Sequence, residues 1–269
     1  MTRLTIVMPT LNQGRYIERS IASVVAQLTS DDVFVVVDGG SEDDTHDILQ
    51  RWSDRINHVE IQTGSTQSEA LVWGFQQFPA EYACYLNSDD LLLPGALGAA
   101  LSTLQADDRL TAVYSHRVFI DPDDKVSGIW YLPGHVDYLM ARWDYIPQET
   151  CFWRYKSMMD CGGIDQTLNF AMDYDLFVGL MHAGRMRRIN AYWAAFRQHD
   201  LSKTNTVNDT VGVHEVNLVQ RKHGIGLSRL DRYVGGLLRR YVEYRSGLVF
   251  SRNSVKKSLA CLVSSAKTG

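Results

Sequence analysis

The sequence predicts an α/β protein: a mostly parallel sheet flanked by helices, followed by a helical C-terminal extension. Three observations predict it. The runs Leu4-Thr5-Ile6-Val7-Met8 and Val33-Phe34-Val35-Val36-Val37 are almost wholly apolar, as strands covered on both faces must be. Each is followed by apolar residues at helical spacing: Ile17, Ile21, Val24, Val25 and Leu28 after the first, Ile48, Leu49 and Trp52 after the second. Such strand–helix alternation builds parallel sheets with right-handed crossovers. The third observation is the polar end of each strand, at Thr10 and Asn12, at Asp38, and at Asn87-Ser88-Asp89-Asp90. In open α/β sheets ligands sit at the carboxyl ends of the strands.

The elements follow in order. After the first strand, Pro9 to Gly14 forms a loop, and after the second, Asp38-Gly39-Gly40-Ser41 forms a turn rich in backbone donors. Ser41, with Asp44 three residues on, fits a capped helix start. A third strand runs from about His58 to Gln62, a polar loop covers Gly64 to Ser68, and a helix covers Glu69 to Phe78. Tyr82-Ala83-Cys84-Tyr85-Leu86 is a short buried strand running into the acidic cluster, and a helix follows Pro94. Leu110 to Ile120 and Lys125 to Tyr131 read as a hairpin around the Asp121-Pro122-Asp123-Asp124 turn. Leu132 to Thr150 has no clear period and is expected to wrap the site. Cys151 to Arg154 is a short strand, Gly162-Gly163-Ile164-Asp165 a loop, Asp173 to His182 a helix, and Arg187 to Gln198 a strand. Ser202 to Asn208 is polar, as a linker or lid would be, and Val211 to Gly269 is predominantly helical.

Composition narrows the class. A chain of 269 residues with 45% hydrophobic and 22% charged residues is long enough for a substantial core. A net charge of −4 gives no general attraction to nucleic acid. The charge is uneven: residues 214–269 hold eleven Lys and Arg against three acids, hence +8, which leaves −12 for the rest. That asymmetry points the tail toward an acidic partner or a membrane surface. Cys84, Cys151, Cys161 and Cys261 lack metal-type spacing and read as reduced thiols. With no secretory signal or apolar run of about 18 residues in view, the expected location is cytoplasmic, free or peripheral at the inner face of the plasma membrane.

The acidic cluster carries the most chemistry. Two adjacent carboxylates call for a positive neighbour, and Mg²⁺ or Mn²⁺, which share oxygen ligands with phosphate, supply it economically. The alternative is that Asp89 and Asp90 cap the next helix or shape a turn before Pro94. Asp38, set apart from this pair, suits a base N–H, and Asn12, Gly39 and Gly40 suit close approach to a nucleoside. The glycine-rich dinucleotide pattern and the phosphate-cradling P-loop are both missing from the sequence, which weakens dehydrogenase and P-loop readings.

Four segments then occur in a telling order: Val7-Met8-Pro9-Thr10-Leu11-Asn12-Gln13, Val36-Val37-Asp38-Gly39-Gly40-Ser41-Glu42-Asp43, Leu86-Asn87-Ser88-Asp89-Asp90 and Met172-Asp173-Tyr174-Asp175-Leu176. Together they resemble family 2 glycosyltransferases, inverting enzymes of the GT-A fold and of bacterial polysaccharide biosynthesis. The resemblance covers about residues 3 to 204. Gln67-Ser68-Glu69-Ala70 and Phe196-Arg197-Gln198-His199 also look like segments of bacterial members. It implies a catalytic domain at 1–204, with a nucleotide-sugar half to about 105 and an acceptor half from about 106, and a basic extension at 205–269.

The resemblance also implies roles. Pro9, Thr10, Asn12, Asp38, Gly39, Gln67, Ser88 and Asp89 would bind the nucleotide. Asp89, assisted by Asp90 and with His199 as a further ligand, would hold Mn²⁺ or Mg²⁺. Asp173 would be the catalytic base. The donor would be a nucleoside diphosphate sugar, a UDP-sugar by preference, and the acceptor a hydroxyl of a glycan or lipid-linked glycan.

Physical reasoning weighs each role against a plainer one. Asp173 opens a predicted helix, so an N-cap is its alternative, and Asp175 is a second candidate base. A lone histidine such as His199 is often structural. Arg197 and Lys203 would neutralise phosphate or sit on solvated faces, Trp153 and Trp193 would stack on sugars or fill the core, and Glu149 would face the acceptor or be a plain loop residue. Three departures from the family pattern stand out. Leu11 replaces a base-stacking aromatic, leaving stacking to another residue such as Tyr16. Asn87 replaces the first Asp of the metal motif, and Met172 replaces the Glu before the base.

The tail carries Leu227, Leu230, Tyr233, Val234, Leu237, Leu238, Tyr241 and Val242 near helical spacing, with Arg229, Arg232, Arg239 and Arg240 between them. This reads as a basic amphipathic helix on an anionic membrane, or as one packed on the domain or in a homo-oligomer. Two rival functions remain at this level: a nucleotidyltransferase, against which the single Gly and single Arg of Thr10 to Arg15 argue, and a non-catalytic sugar-nucleotide or glycan-binding module.

Overall fold

A computed structural model describes residues 2–199, 211–226 and 228–266. Lys203 and Leu227, singled out above, lie outside these described residues.

Among the described residues nine strands form one mixed sheet. Strands β1 (Leu4–Thr10), β2 (Asp32–Asp38), β3 (His58–Ile61) and β4 (Tyr82–Tyr85) make its parallel half, with β2 and β4 on either side of β1. Every residue of β1 is buried, which explains its nearly unbroken apolar run. Beyond β4 the pairing turns antiparallel through β8 (Phe152–Arg154) to β6 (Leu110–Ile120). Strand β9 (Arg185–Arg197) runs parallel to β6, and the two-residue β5 (Leu91–Leu92) closes that edge. The predicted hairpin is present as β6 with β7 (Val126–Trp130).

Helices α1 (Ile17–Val25), α2 (Thr45–Arg51), α3 (Gln67–Gln77) and α4 (Ala96–Gln105) cover the first half. Local chemistry sets their starts. At α3, Thr66 Oγ1 accepts from the Glu69 amide (3.2 Å) and a Glu69 carboxylate oxygen accepts from the Thr66 amide (2.7 Å). This capping box starts the helix two residues before the apolar pattern does, and so puts Gln67 in its first turn. At α2 the predicted Ser41 cap is corrected. Ser41 turns back to Asp38, and Asp43 accepts from the Thr45 amide instead (3.0 Å). Helix α3 lies so close to β1 that a Cβ on Gly74 would come within 2.8 Å of Val7.

The second half carries α5 (Asp137–Met140), a 3₁₀ turn at Gln148–Thr150, α6 (Tyr155–Asp160) and α7 (Met172–Ala183). The helical tail is α8 (Val213–Lys222), α9 (Arg229–Phe250) and α10 (Asn253–Ser265). It packs on the sheet domain at three places. Val219 of α8 joins the main core, α9 lies along β7, and Leu259 and Val263 of α10 close a second cluster with Leu91, Val118, Ile120 and Ile129. Trp153 and Trp193 are core residues, 0% and 3% exposed, which corrects the sugar-stacking alternative for both. All four cysteines are free thiols. Among the described residues no helix is long and apolar enough to cross a membrane.

Candidate functional site: two joined cavities at the strand ends

A cleft of about 490 Å³ opens at the carboxyl ends of β1, β2 and β4. Pro9, Thr10, Gly39, Gln67, Ser88 and Asp89, all expected at a nucleotide, line it. The Thr10 hydroxyl is buried there without a hydrogen-bond partner among the described residues. The exposed Leu11 also lines this cleft.

Asn12 and Asp38, expected at the nucleoside and at a base N–H, are not among the residues that line the cleft, and both are bonded within the loops around it. Asn12, held at φ +53°, accepts from the Glu42 amide through Oδ1, while its own amide donates to Ser41 Oγ (both 2.8 Å). Asp38 is fully buried, accepting from the Ser41 amide and hydroxyl and contacting His46 Nε2. The two residues clasp the loops after β1 and β2. Gly40 is part of the clasp. It sits at φ +94° with Thr63 3.0 Å from where a Cβ would stand, so only glycine fits.

Asp89 and Asp90 part company. Asp89 lines the cleft and meets His199 Nε2 at 2.9 Å. Asp90 turns inward to 1% exposure. One of its oxygens accepts from the Arg197 amide (2.9 Å) and the other has no hydrogen-bond partner among the described residues. Burial, together with the Asp89 charge, pushes its pKa well above the usual carboxylate range, and Asp90 is not among the residues that line the cleft beside Asp89. Arg197 is buried too, with its guanidinium paired to Asp124, donating to the Asp89 carbonyl (2.8 Å) and lying 4.7 Å over the Tyr16 ring. Arg197 thus sits neither on a solvated face nor free for phosphate, the two alternatives weighed for it, and Tyr16, one candidate for base stacking, packs under its guanidinium.

Among the described residues no three His, Cys, Asp or Glu side chains form a metal cage. One carboxylate and one imidazole, from Asp89 and His199, still fit Mg²⁺ or Mn²⁺, ions that take one or two protein ligands and complete their shell with phosphate and water.

A second cavity of about 260 Å³ adjoins the first, and Gln67, Asn87, Asn169 and Phe196 line both. Gln67 Nε2 donates to Asn87 Oδ1 (2.7 Å) across the junction. Asp173, the second residue of α7, lines this cavity half-buried. It is not the helix cap, since the N-cap is Ala171. That end is held by Glu215 of α8, whose carboxylate accepts from the Asn169, Phe170 and Ala171 amides (2.7–3.1 Å). Burial lifts the Asp173 pKa to about 6, against the Tyr174 amide (2.9 Å) that stabilises its anion. The other candidate base, Asp175, is buried and engaged by Lys222 (2.7 Å) and His223 (2.8 Å).

Opposite stand residues that no motif announced. Asp144 lines the cavity, and its pKa is raised by desolvation within it and by the charge of Asp173. Arg117 holds Glu149 in a two-pronged pair (2.6 and 2.7 Å) and lies 4.5 Å over Phe196. Glu149, weighed as an acceptor-side or a plain loop residue, lines this cavity with its carboxylate committed to Arg117.

The family model described as "Glycosyl transferase family 2" matches residues 5–176. An uncharacterised glycosyltransferase of Rickettsia typhi is 25% identical over 222 residues, 79% of this chain and 69% of its own length. A chondroitin synthase of Escherichia coli is 26% identical over 70% of this chain, a match that spans only 28% of the synthase. Among solved structures, S. aureus TarS in complex with UDP-GlcNAc superposes with a TM-score of 0.69 at 16% identity, covering 83% of this chain and 66% of that one. The mannosyltransferase PcManGT of Pyrobaculum calidifontis, in complex with GDP-Man and Mn²⁺, superposes at 0.56 and 16% identity over 98% of this chain and 73% of its own.

Proposed function

The chain belongs to glycosyl transferase family 2 and has its GT-A fold, and from that premise we propose an inverting glycosyl transfer. The donor is a nucleoside diphosphate sugar, a UDP-sugar by preference, and the acceptor is a hydroxyl of a glycan or lipid-linked glycan. The observation that carries the proposal is the pairing of cavities. The larger, lined by Asp89, suits a nucleotide. The smaller, lined by Asp173, suits an acceptor hydroxyl, and the two meet at Gln67 and Asn87.

The chemistry follows from the residues. Thr10, Gly39 and Ser88 line the nucleotide cleft, where the backbone and hydroxyl groups of the strand ends meet a base and ribose. Asp89 and His199 would hold Mg²⁺ or Mn²⁺, which when bound stabilises negative charge on the diphosphate leaving group. Asp173 takes the proton of the acceptor hydroxyl as that oxygen attacks the anomeric carbon from the face opposite the diphosphate. A carboxylate with pKa near 6 is ionised at neutral pH and is more basic than an ordinary aspartate, as general-base work requires. Arg117 stays with Glu149, which keeps its charge in place beside the base.

The test is a thermal-shift screen of UDP- and GDP-sugars with and without Mn²⁺. Metal-dependent stabilisation by one donor is expected, lost in Asp89→Ala and kept in Asp90→Asn, because only Asp89 faces the cleft. Equal loss in both variants would put Asp90 at the metal after all. Metal-dependent donor binding without transfer to any of a broad acceptor panel would favour a sugar-nucleotide-binding module.

A further inference from the structure

Helix α9 has two apolar faces, and the domain uses only one. Its inner face buries Val242, accepts the Tyr131 amide on Ser246 Oγ (2.8 Å), and is tied at its start by Asp231, which pairs with Arg142 (3.2 Å) and accepts from the Tyr138 hydroxyl. The outer face carries Leu230, Val234, Leu237, Tyr241, Tyr244 and Leu248, between 37% and 69% exposed. These six recur at alternating steps of four and three, so at about 100° per residue they form one stripe along a helix of about 33 Å. The same geometry puts the exposed Arg240 on one edge of the stripe and the exposed Arg245 on the other.

We infer that this outer face of α9 docks on an anionic lipid surface. An in-plane membrane helix has this anatomy: an apolar stripe with aromatic residues, edged by cations. Charge separates a bilayer from a second copy of the chain, which the 4–3 spacing would also admit. Residues 214–269 hold eleven basic against three acidic side chains. An isologous pair would bring two such tails together, whereas anionic headgroups attract each of them.

Position strengthens the case. Helix α9 lies along β7, whose last residue, Trp130, lines the Asp173 cavity. Docking would hold that cavity near the lipid surface, where a lipid-linked acceptor resides. This consequence rests on the proposed transferase reading, but the docking does not, and it is measured without turnover.

The experiment is co-sedimentation of the full chain with phosphatidylcholine vesicles, with or without about 30 mol% phosphatidylglycerol. The chain is expected to pellet with the anionic vesicles, less with the neutral ones, and less again in high salt. Leu237→Glu and Tyr241→Glu place a charge on exposed positions outside both cavities. Each is expected to weaken partitioning by about tenfold or more while retaining the wild-type melting temperature. The double charge reversal Arg240→Glu, Arg245→Glu is expected to abolish the preference for anionic vesicles. Failure of the wild type to pellet, or binding by the Glu variants as strong as wild type, would overturn the inference. So would a dimer in light scattering that Leu237→Glu dissociates without any vesicle binding.

Discussion

Asp173 is where residue-scale chemistry is sharpest. Its pKa of about 6 lies above the ordinary aspartate value, so the folded protein binds its proton more tightly than the unfolded chain does. The sign follows: this residue costs stability above pH 6, and the cost disappears below about pH 4, where both states are protonated. Asp173→Asn removes the charge and leaves an oxygen for the Tyr174 amide, so its melting temperature at pH 8 should equal or exceed that of the wild type. Transfer should fall by about 10²–10⁴-fold. In the wild type, kcat/KM should rise with pH through an apparent pKa near 6. A variant that melts early but transfers normally would make Asp173 a structural residue. At this scale the sequence was only partly legible. It placed Asp89 and Asp90 side by side, but the turn after β4 sends one carboxylate to the cleft and the other to the Arg197 amide, and adjacent letters carry no record of that divergence. Asp144 and Arg117 belong to no motif; the irregular segment before Thr150 brings the first, and strand β6 the second, to the cavity that Asp173 lines.

At the scale of elements, the strands and most helices were readable because burial dictates their composition. The short-range capping box at Thr66 and Glu69 was readable in principle as well, and it is what brings Gln67 to the junction of the cavities. The start of α7 was legible to within a residue, but what holds the segment before it was not, because the Asn169, Phe170 and Ala171 amides are satisfied by a carboxylate more than forty residues away. Glu215 is buried and receives the Asn169, Phe170 and Ala171 amides, in a segment that lines the cavity and leads into the helix bearing Asp173. Hydrogen bonds to a charged group are worth about 1.5–3 kcal/mol each at the upper end, and losing the acceptor leaves buried donors unpaired. Glu215→Ala should therefore cost about 3 kcal/mol of stability in chemical denaturation. It should also lower kcat more than it changes the KM for donor, since of the three tethered residues only Asn169 lines the donor cleft, whereas all three lead into the helix bearing Asp173. Glu215→Gln keeps an acceptor oxygen and should restore part of both. An Ala variant as active and stable as wild type would mean that these amides find water instead.

For the whole molecule, the question is whether the basic tail is an appendage or part of the fold. The sequence shows a change of charge at the tail, which reads as a boundary, but charge reports the solvent-facing side of a segment and not what lies beneath it. Beneath α10, Leu259 (2% exposed) and Val263 (1% exposed) seal a cluster with Val118, Ile120 and Ile129 at the far end of the β6–β7 hairpin. Strand β6 also carries Arg117, one residue before Val118, so the cluster that holds the tail shares a strand with the wall of the Asp173 cavity. Tail and sheet should then melt together. Leu259→Ala, a buried large-to-small change, should cost about 2–5 kcal/mol. It should lower the single calorimetric transition of the whole chain by on the order of 5–15 °C. A tail that folds separately would behave differently: the variant would split off an early, small transition and leave the main one, and the donor-induced stabilisation, where they were. One shifted transition would instead mean that α10 and β6 fold as one unit with the wall of the cavity that Asp173 lines, so that a surface docked on α9 bears on the same unit.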